Sequence, residues 1–358
     1  MALKRAPSLP EPASALCDYM DELVESLRKL VPAALKEFDQ VSIHHARVAT
    51  RRLKAAIDLL KPVLSDDHRR PFAKAGRQLR RRLGPLRDLD VMIDHLKKIQ
   101  RRATHRTAAQ WLERRLTEAR AAAREDSKSA QSPSDVLARM GSWWGLREEV
   151  LDAGDQARAL LADALHLQLD AFAEQADLLA KKDPAIKQDP HQVRIAGKAL
   201  RYTLEMAKCE GHAIPGGVAK AFKRMQDALG SWHDFVVLTE RAICESLDAL
   251  LAHHDMQLQR QVLDLSRWTL GSARKELDRF SALWAQEGPD LLKTIREAVP
   301  LAKPGSAVEK IAEAEKVGDV DIVTNAEPVT EPKTDPDPSG SDAVPAAEPS
   351  PATDPEAA

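Results

Sequence analysis

The sequence predicts an all-α protein built by internal duplication. Three observations carry that expectation: a composition poor in sheet-forming residues, eight long stretches with apolar residues at helical spacing, and two motifs that recur in the same order at nearly one offset. Aromatic residues make up 4% of the 358-residue chain and glycine only 15 positions, while hydrophobic and charged residues reach 43% and 30%. That balance favours helices, and the length suffices for two domains or one large duplicated one.

After a Pro-rich lead over residues 1–13, residues 14–126 read as a first four-helix bundle. Ala15 to Phe38 carries Leu23, Leu27, Leu30 and Leu35 at helical spacing, with a kink expected at Pro32. A helix from about Val41 to Leu60 follows, stopped by Pro62. The next runs from about Asp67 through Arg101, with an interruption expected at Gly84-Pro85, and Ala108 to Arg124 is the fourth. Residues 127–150 form a connection in which Ser132-Pro133-Ser134 caps a short helix running past Trp143 and Trp144. Residues 151–286 repeat the plan with helices over Gln156 to Lys182, Pro190 to Lys208, Gly217 to Leu251 and His253 to Gln286. A short helix is expected within 287–304, and 305–358 form a disordered acidic tail.

The repeat is explicit. His44-His45-Ala46-Arg47-Val48-Ala49-Thr50-Arg51-Arg52-Leu53-Lys54 aligns with His191-Gln192-Val193-Arg194-Ile195-Ala196-Gly197-Lys198-Ala199-Leu200-Arg201 at an offset of 147. Leu83-Gly84-Pro85-Leu86-Arg87-Asp88 aligns with Leu229-Gly230-Ser231-Trp232-His233-Asp234 at 146.

The net charge of −2 averages two unlike regions. The tail 305–358 holds three lysines against thirteen acidic residues, a net −10, which leaves +8 on residues 1–304. A basic body points to an anionic partner. The tail reads as a solubilising linker or, alternatively, as an intramolecular competitor for the basic face. Cys17, Cys209 and Cys244 make no metal-binding spacing, and no stretch reaches the roughly 18 apolar residues of a membrane span. Without a signal-peptide pattern, a cytoplasmic location is expected.

His44, Arg47, Arg51 and Lys54 share an arc of about 80° on one helix face, apart from the apolar stripe of Ala46, Ala49, Leu53 and Ile57. His191, Arg194, Lys198 and Arg201 repeat that stripe. Like charges at i,i+4 repel by a few tenths of a kcal/mol per pair, roughly, so the stripe is either a solvated face or an anion site, and its recurrence favours the site. The next helix of each half adds Lys74, Arg77, Arg80, Arg81, Arg82 and Arg87, and Lys220, Lys223 and Arg224. A wall of guanidinium forks and ammonium groups suits a flexible polymer of phosphates. The rival readings are a metal-dependent phosphohydrolase using His44, Asp88, Asp90, His191, His233 and Asp234, and nucleic-acid binding through the same face. Neither a phosphate loop nor a nucleophile elbow is present, and with two tyrosines a base-stacking platform is not expected.

The motifs His44-x-x-Arg47-Val48-x-x-Arg51-Arg52-Leu53-Lys54, Leu83-Gly84-x-x-Arg87-Asp88-x-Asp90-Val91, His191-x-x-Arg194-x-x-x-Lys198-x-Leu200-Arg201-Tyr202 and Gln226-x-x-Leu229-Gly230-x-x-x-Asp234 resemble the CHAD domain, the conserved-histidine α-helical domain, over roughly residues 14–286. The resemblance implies two four-helix bundles related by a pseudo-twofold axis, with a basic groove or pore between them that binds long-chain inorganic polyphosphate. It further implies that His44, Arg47, Arg51, Arg52, Lys54, His191, Arg194, Lys198 and Arg201 line that surface, and an association with polyphosphate granules is possible on the same ground. Ala199 stands where the first copy has Arg52, so the second half is expected to bind less strongly. No β-rich segment offers the catalytic domain that often accompanies this family, so a non-catalytic protein without metal or cofactor is expected.

Overall fold

The computed structural model describes residues 12–128, 132–181, 189–253 and 255–301; the acidic tail expected over 305–358 lies outside them. The described chain is helical throughout: α1 (Pro12–Pro32), α2 (Gln40–Leu59), α3 (Asp66–Ile99), α4 (Arg106–Lys128), the short α5 (Pro133–Arg139), α6 (Trp143–Lys181), α7 (Pro190–Cys209), α8 (Gly216–His253) and α9 (Met256–Ala298).

Local chemistry explains most boundaries. Pro32 ends the regular part of α1, and the chain continues as a single π turn, Ala33–Glu37, closed by Phe38 in the left-handed region at φ 57°. Asp39 then caps α2 by accepting from the Ser42 amide at 2.7 Å. Ser132 and Asp135 form a reciprocal capping box that starts α5 at Pro133. Asp189 caps α7 through the amides of His191 and Gln192, with Pro190 at the first helical position.

Three expectations are corrected. Gly84-Pro85 does not interrupt α3, which runs unbroken for 34 residues with both Pro71 and Pro85 inside it. A proline removes one backbone bond, and here the apolar residues on both sides, Leu83 and Leu86, are fully buried and hold the helix on course. The short helix expected within 287–304 is the end of α9, which carries Pro289 internally. The helix expected from Gln156 begins at Trp143, with a kink at Gly154, whose φ of 44° only a glycine adopts readily.

Each half packs consecutively, α1 on α2, α2 on α3 and α3 on α4, then α6 on α7, α7 on α8 and α8 on α9. Across the halves, α1 touches α6, α2 touches α7, α3 touches α8 and α4 touches α9. Each helix thus meets the one that holds its place in the other half.

The apolar interior is not divided by halves. A larger core takes Leu27 from α1, Leu53 from α2, Leu79 from α3, Leu165 and Phe172 from α6, Leu200 from α7, Met225 from α8 and Phe280 from α9. A smaller one joins Leu89 to Ile99 of α3, Leu112 and Leu116 of α4, Leu238 and Ala242 of α8, and Val262 and Leu265 of α9. On α3 the larger core ends at Leu86 and the smaller begins at Leu89; on α8 they end and begin at Leu229 and Leu238. Two segments, Arg87-Asp88 and Gly230 to Val237, fall between them and carry the polar Arg87, Asp88, His233 and Asp234.

Because both cores draw on both halves, thermal unfolding is expected as one transition. Leu112→Ala, at a fully buried position of the smaller core, should lower stability by about 2–5 kcal/mol and shift that whole transition in calorimetry. Two separable transitions, one per half, would contradict this packing.

Candidate anion site

Helices α2, α3, α7 and α8 bring the repeated motifs together where the two cores part. From α2 and α3 come His44, Arg51, Arg87 and Asp88; from α7 and α8 come His191, Arg194, Lys198, His233 and Asp234. The charge of Arg51 is felt at His44 and Asp88 in its own half and at Arg194 and Lys198 in the other. Asp88 and Asp234, at matching places in the repeat, also sense each other. Every residue from Gly230 to Val237 is half-exposed, without the in-and-out alternation of a helix lying flat on a core.

Dehydration and crowded positive charge shape the titration of this cluster. Lys198 is pushed down from the ordinary 10.5 to about 6, first by loss of solvent and then by Arg194 and Arg51. His233 falls to about 4 for the same reasons, dehydration first, then the charge of Arg194. The His44 imidazole is lowered by dehydration and by Arg87. The two carboxylates diverge. Asp88 keeps an exposed surface, yet its carboxyl is raised by the solvent it loses to neighbouring side chains, which outweighs the opposing pull of Arg47, Arg51 and Arg87. Asp234 is dehydrated too, but a hydrogen bond with His95 (Nε2 to Oδ2, 3.4 Å) and the charges of His95, Arg194 and His233 hold it below the ordinary carboxylate range. Ring contacts of 5.7 Å join His191 to His233 and of 5.2 Å join His44 to His45.

The cations expected at this surface divide into two kinds. Arg47 and Arg80 are buried at the α2/α3 contact and serve as a reciprocal staple: Arg47 Nη1 donates to the Arg80 carbonyl at 2.6 Å, and Arg80 Nη1 to the Thr50 carbonyl at 3.0 Å. Gly84 leaves room for it, since a Cβ there would come within 3.1 Å of Arg47 Nη1. Arg52 grips Glu205 of α7 through Nε and Nη2 at 2.7 and 3.1 Å, and Arg201 lies 3.3 Å from the same carboxylate. Lys54 pairs with Asp58, Lys223 with Asp227 and Arg224 with Glu287. Arg82 reaches the hydroxyl and carbonyl of Ser127 on α4. Among the described residues no hydrogen bond or ion pair occupies Arg51, Arg87 or Lys198, and the Nε of Arg194 is buried without a partner. Lys74, Arg77, Arg81 and Lys220 are exposed along α3 and α8.

This division bears on the expected inferiority of the second half. Arg194 repeats Arg47, but the positions matching Arg80 and Thr50 are Gln226 and Gly197, so the staple is not rebuilt there. The second half has fewer cations by count, yet Arg194 and Lys198 are less committed than Arg47 and Arg52.

Asp90, considered as a metal ligand, is buried in an ion pair with Arg120 of α4, which also donates to the Phe38 carbonyl at 3.0 Å. Among the described residues no group of three or more His, Cys, Asp or Glu side chains is placed to hold a metal ion. Two participants escaped the sequence reading. His95 lies seven residues beyond Asp88, hence on the same face of α3, and Glu205 occupies the place in the repeat that Asp58 holds in the first half.

A family model described as the CHAD domain matches residues 18–243. Among solved structures, the crystal structure of the CHAD domain from the plant Ricinus communis aligns with a TM-score of 0.49 at 19% identity, covering 84% of this chain and 98% of that one. No curated protein matches the chain. No helix among the described residues is long and apolar enough to cross a membrane.

The lowered Lys198 predicts a pH dependence of stability. Between about 6 and 10.5 the unfolded chain binds a proton that the folded chain has released, so stability rises with pH across that window. Lys198→Met should therefore raise the melting temperature at pH 7, with a gain that shrinks as the pH approaches 10. A lower melting temperature for the variant at pH 7 would contradict the dehydrated lysine.

Proposed function

The chain belongs to the CHAD domain family, and from that premise we propose that it binds inorganic polyphosphate, without cleaving it, in a basic groove where the two halves meet. One observation carries the reading: Arg51, Arg87, Arg194 and Lys198 converge from both halves with no carboxylate paired to them at hydrogen-bond distance, in surroundings dry enough to strip Lys198 of its proton near neutral pH. Crowding like charges without counter-charges costs stability. A polyanion lying between α2, α3, α7 and α8 would remove that cost.

Phosphate oxygens suit these groups. Each guanidinium offers a planar fork to a phosphate, and Lys198 regains its proton when negative charge arrives beside it. Binding therefore takes up protons near neutral pH and weakens as the pH rises above 6. The buried staple of Arg47 and Arg80, and the clamp of Arg52 and Arg201 on Glu205, hold the helices at the spacing the polymer needs instead of contacting it first. Lys74, Arg77 and Arg81 on α3 and Lys220 on α8, exposed and without ion pairs among the described residues, extend the basic surface for a long chain. The reading includes a cytoplasmic protein associated with polyphosphate granules. The near-equivalence of the halves, each helix meeting its counterpart, supports descent from one duplicated bundle with a pseudo-twofold axis at the site.

Fluorescence binding of long-chain polyphosphate to the full chain tests the proposal. Affinity should fall steeply between 50 and 200 mM salt, by on the order of 10³-fold if about six phosphates are contacted. Arg51→Glu with Lys198→Glu should weaken binding by about 100-fold or more at low salt, and no orthophosphate should be released with or without Mg²⁺ or Mn²⁺. Affinity unchanged in the double variant would overturn the site, tighter binding of RNA than of polyphosphate would overturn the ligand, and released orthophosphate would overturn the non-catalytic reading.

A further inference from the structure

We propose that the outer face of the α8/α9 hairpin is an interface at which two copies of this chain pair about a twofold axis. The inference does not depend on what the anion site binds.

Among the described side chains of this one hairpin, five large apolar ones are exposed: Ile243 and Leu247 on α8, and Met256, Leu263 and Leu270 on α9, from 36% exposed at Leu263 to 68% at Met256. On α9 they recur every seven residues, which lays them in one stripe along the helix. On α8 the two are one turn apart. The Thr239 and Thr269 hydroxyls meet at 2.6 Å between the helices. In an antiparallel hairpin that contact sets Leu247 within about a turn of Leu263, and Ile243 near Ser266. The apolar residues therefore gather on one surface, opposite the buried Leu238, Ala242, Val262 and Leu265. Contiguous exposed apolar surface of this kind marks a place that another surface covers.

The repeat shows that the fold does not require it. At the offset of 146 that aligns Asp88 with Asp234, Ile243 corresponds to Lys97 and Leu247 to Arg101, and both cations are exposed at the tip of the α3/α4 hairpin. The same architecture accepts charged residues there, so the apolar surface is a property of the second hairpin alone.

The charges bordering the stripe select the occupant. Exposed Arg260, Asp264, Arg267, Arg274 and Asp278 run along α9 beside the apolar residues, Asp264 already pairing with Arg267 of its own helix at 3.0 Å, so a partner's cation would join an existing exposed pair. If a second copy lays its α9 antiparallel to the first, centred on Thr269, Arg260 meets Asp278 of the copy and Arg274 meets its Asp264. A twofold operation makes each of these pairs twice. In the same register Arg267 faces Gly271, which has open space around it, so no like charges oppose each other. Self-complementarity in one register is what an interface between identical chains needs.

Sedimentation equilibrium of the full chain tests this. A dimer of the 39.5 kDa chain is expected at micromolar concentrations. Leu263→Glu with Leu270→Glu should raise the dissociation constant at least about 100-fold while leaving helix content and melting temperature near those of the parent, because both positions are exposed. Leu167→Glu, on exposed surface of α6, serves as the control and should leave the dimer intact. Arg274→Asp should weaken the dimer, and adding Asp264→Arg should restore it. A parent chain that stays monomeric to about 100 µM, a dimer indifferent to the leucine changes, or a charge swap that fails to restore pairing would each overturn the proposal.

Discussion

Like charges held together in a partly dehydrated seam are the constraint around which this fold is arranged. An apolar interior continuous from end to end would be the cheaper construction, and α3 and α8 are long enough to carry one. Instead both helices switch cores midway, and each presents its polar motif at the switch. Moving arginine and lysine heads out of bulk water beside one another is unfavourable, and the fold spreads that cost over contacts from both halves. The cluster is therefore a product of the whole assembly, and neither half could hold it alone.

The two copies of the motif differ in how they tolerate this. In the first half Arg47 and Arg80 turn inward, each donating to a backbone carbonyl of the neighbouring helix. A buried guanidinium is tolerable when its donors are satisfied. In the second half Gln226 and Gly197 stand in the places of Arg80 and Thr50, and Arg194 remains without that staple. Glu205 then ties the halves to each other, accepting from Arg52 of α2 beside Arg201 of its own helix. In the first copy Arg47 is structural while Arg51 stays available; in the second Arg201 is tied to Glu205 while Arg194 and Lys198 stay available. The hairpin tips diverged similarly, cationic at Lys97 and Arg101 and apolar at Ile243 and Leu247.

Much of this was legible in the sequence, for identifiable reasons. Helix positions followed from periodicity and from local signals such as the Ser132 cap, which acts on an amide three residues away; the caps at Asp39 and Asp189 emerge only in the structure. The recurring motifs singled out His44, Arg51, Asp88, His191, Arg194, Lys198, His233 and Asp234, and in the fold these residues feel one another's charge. What stayed hidden was long-range. Counting cations on a helical wheel cannot separate Arg51, without a partner, from Arg47, which shares its stripe but ends on a carbonyl 33 residues away. The continuity of α3 through Gly84-Pro85 depends on Leu83 and Leu86 packing into a core that local signals do not reveal. Likewise, the sharing of each core between helices of both halves cannot be read from helices counted in fours along the chain.

The central claim, that this seam binds a polyanion, is tested most directly by following the Lys198 ammonium itself. Nitrogen-detected NMR titration of its Nζ, assigned by comparison with Lys198→Met, reads the pKa with and without long-chain polyphosphate. The account predicts a value near 6 in the protein alone, rising by two units or more, roughly, when the polymer binds. A lysine that titrates near 10 in the protein alone, or one whose pKa does not move on adding polyphosphate, would contradict it.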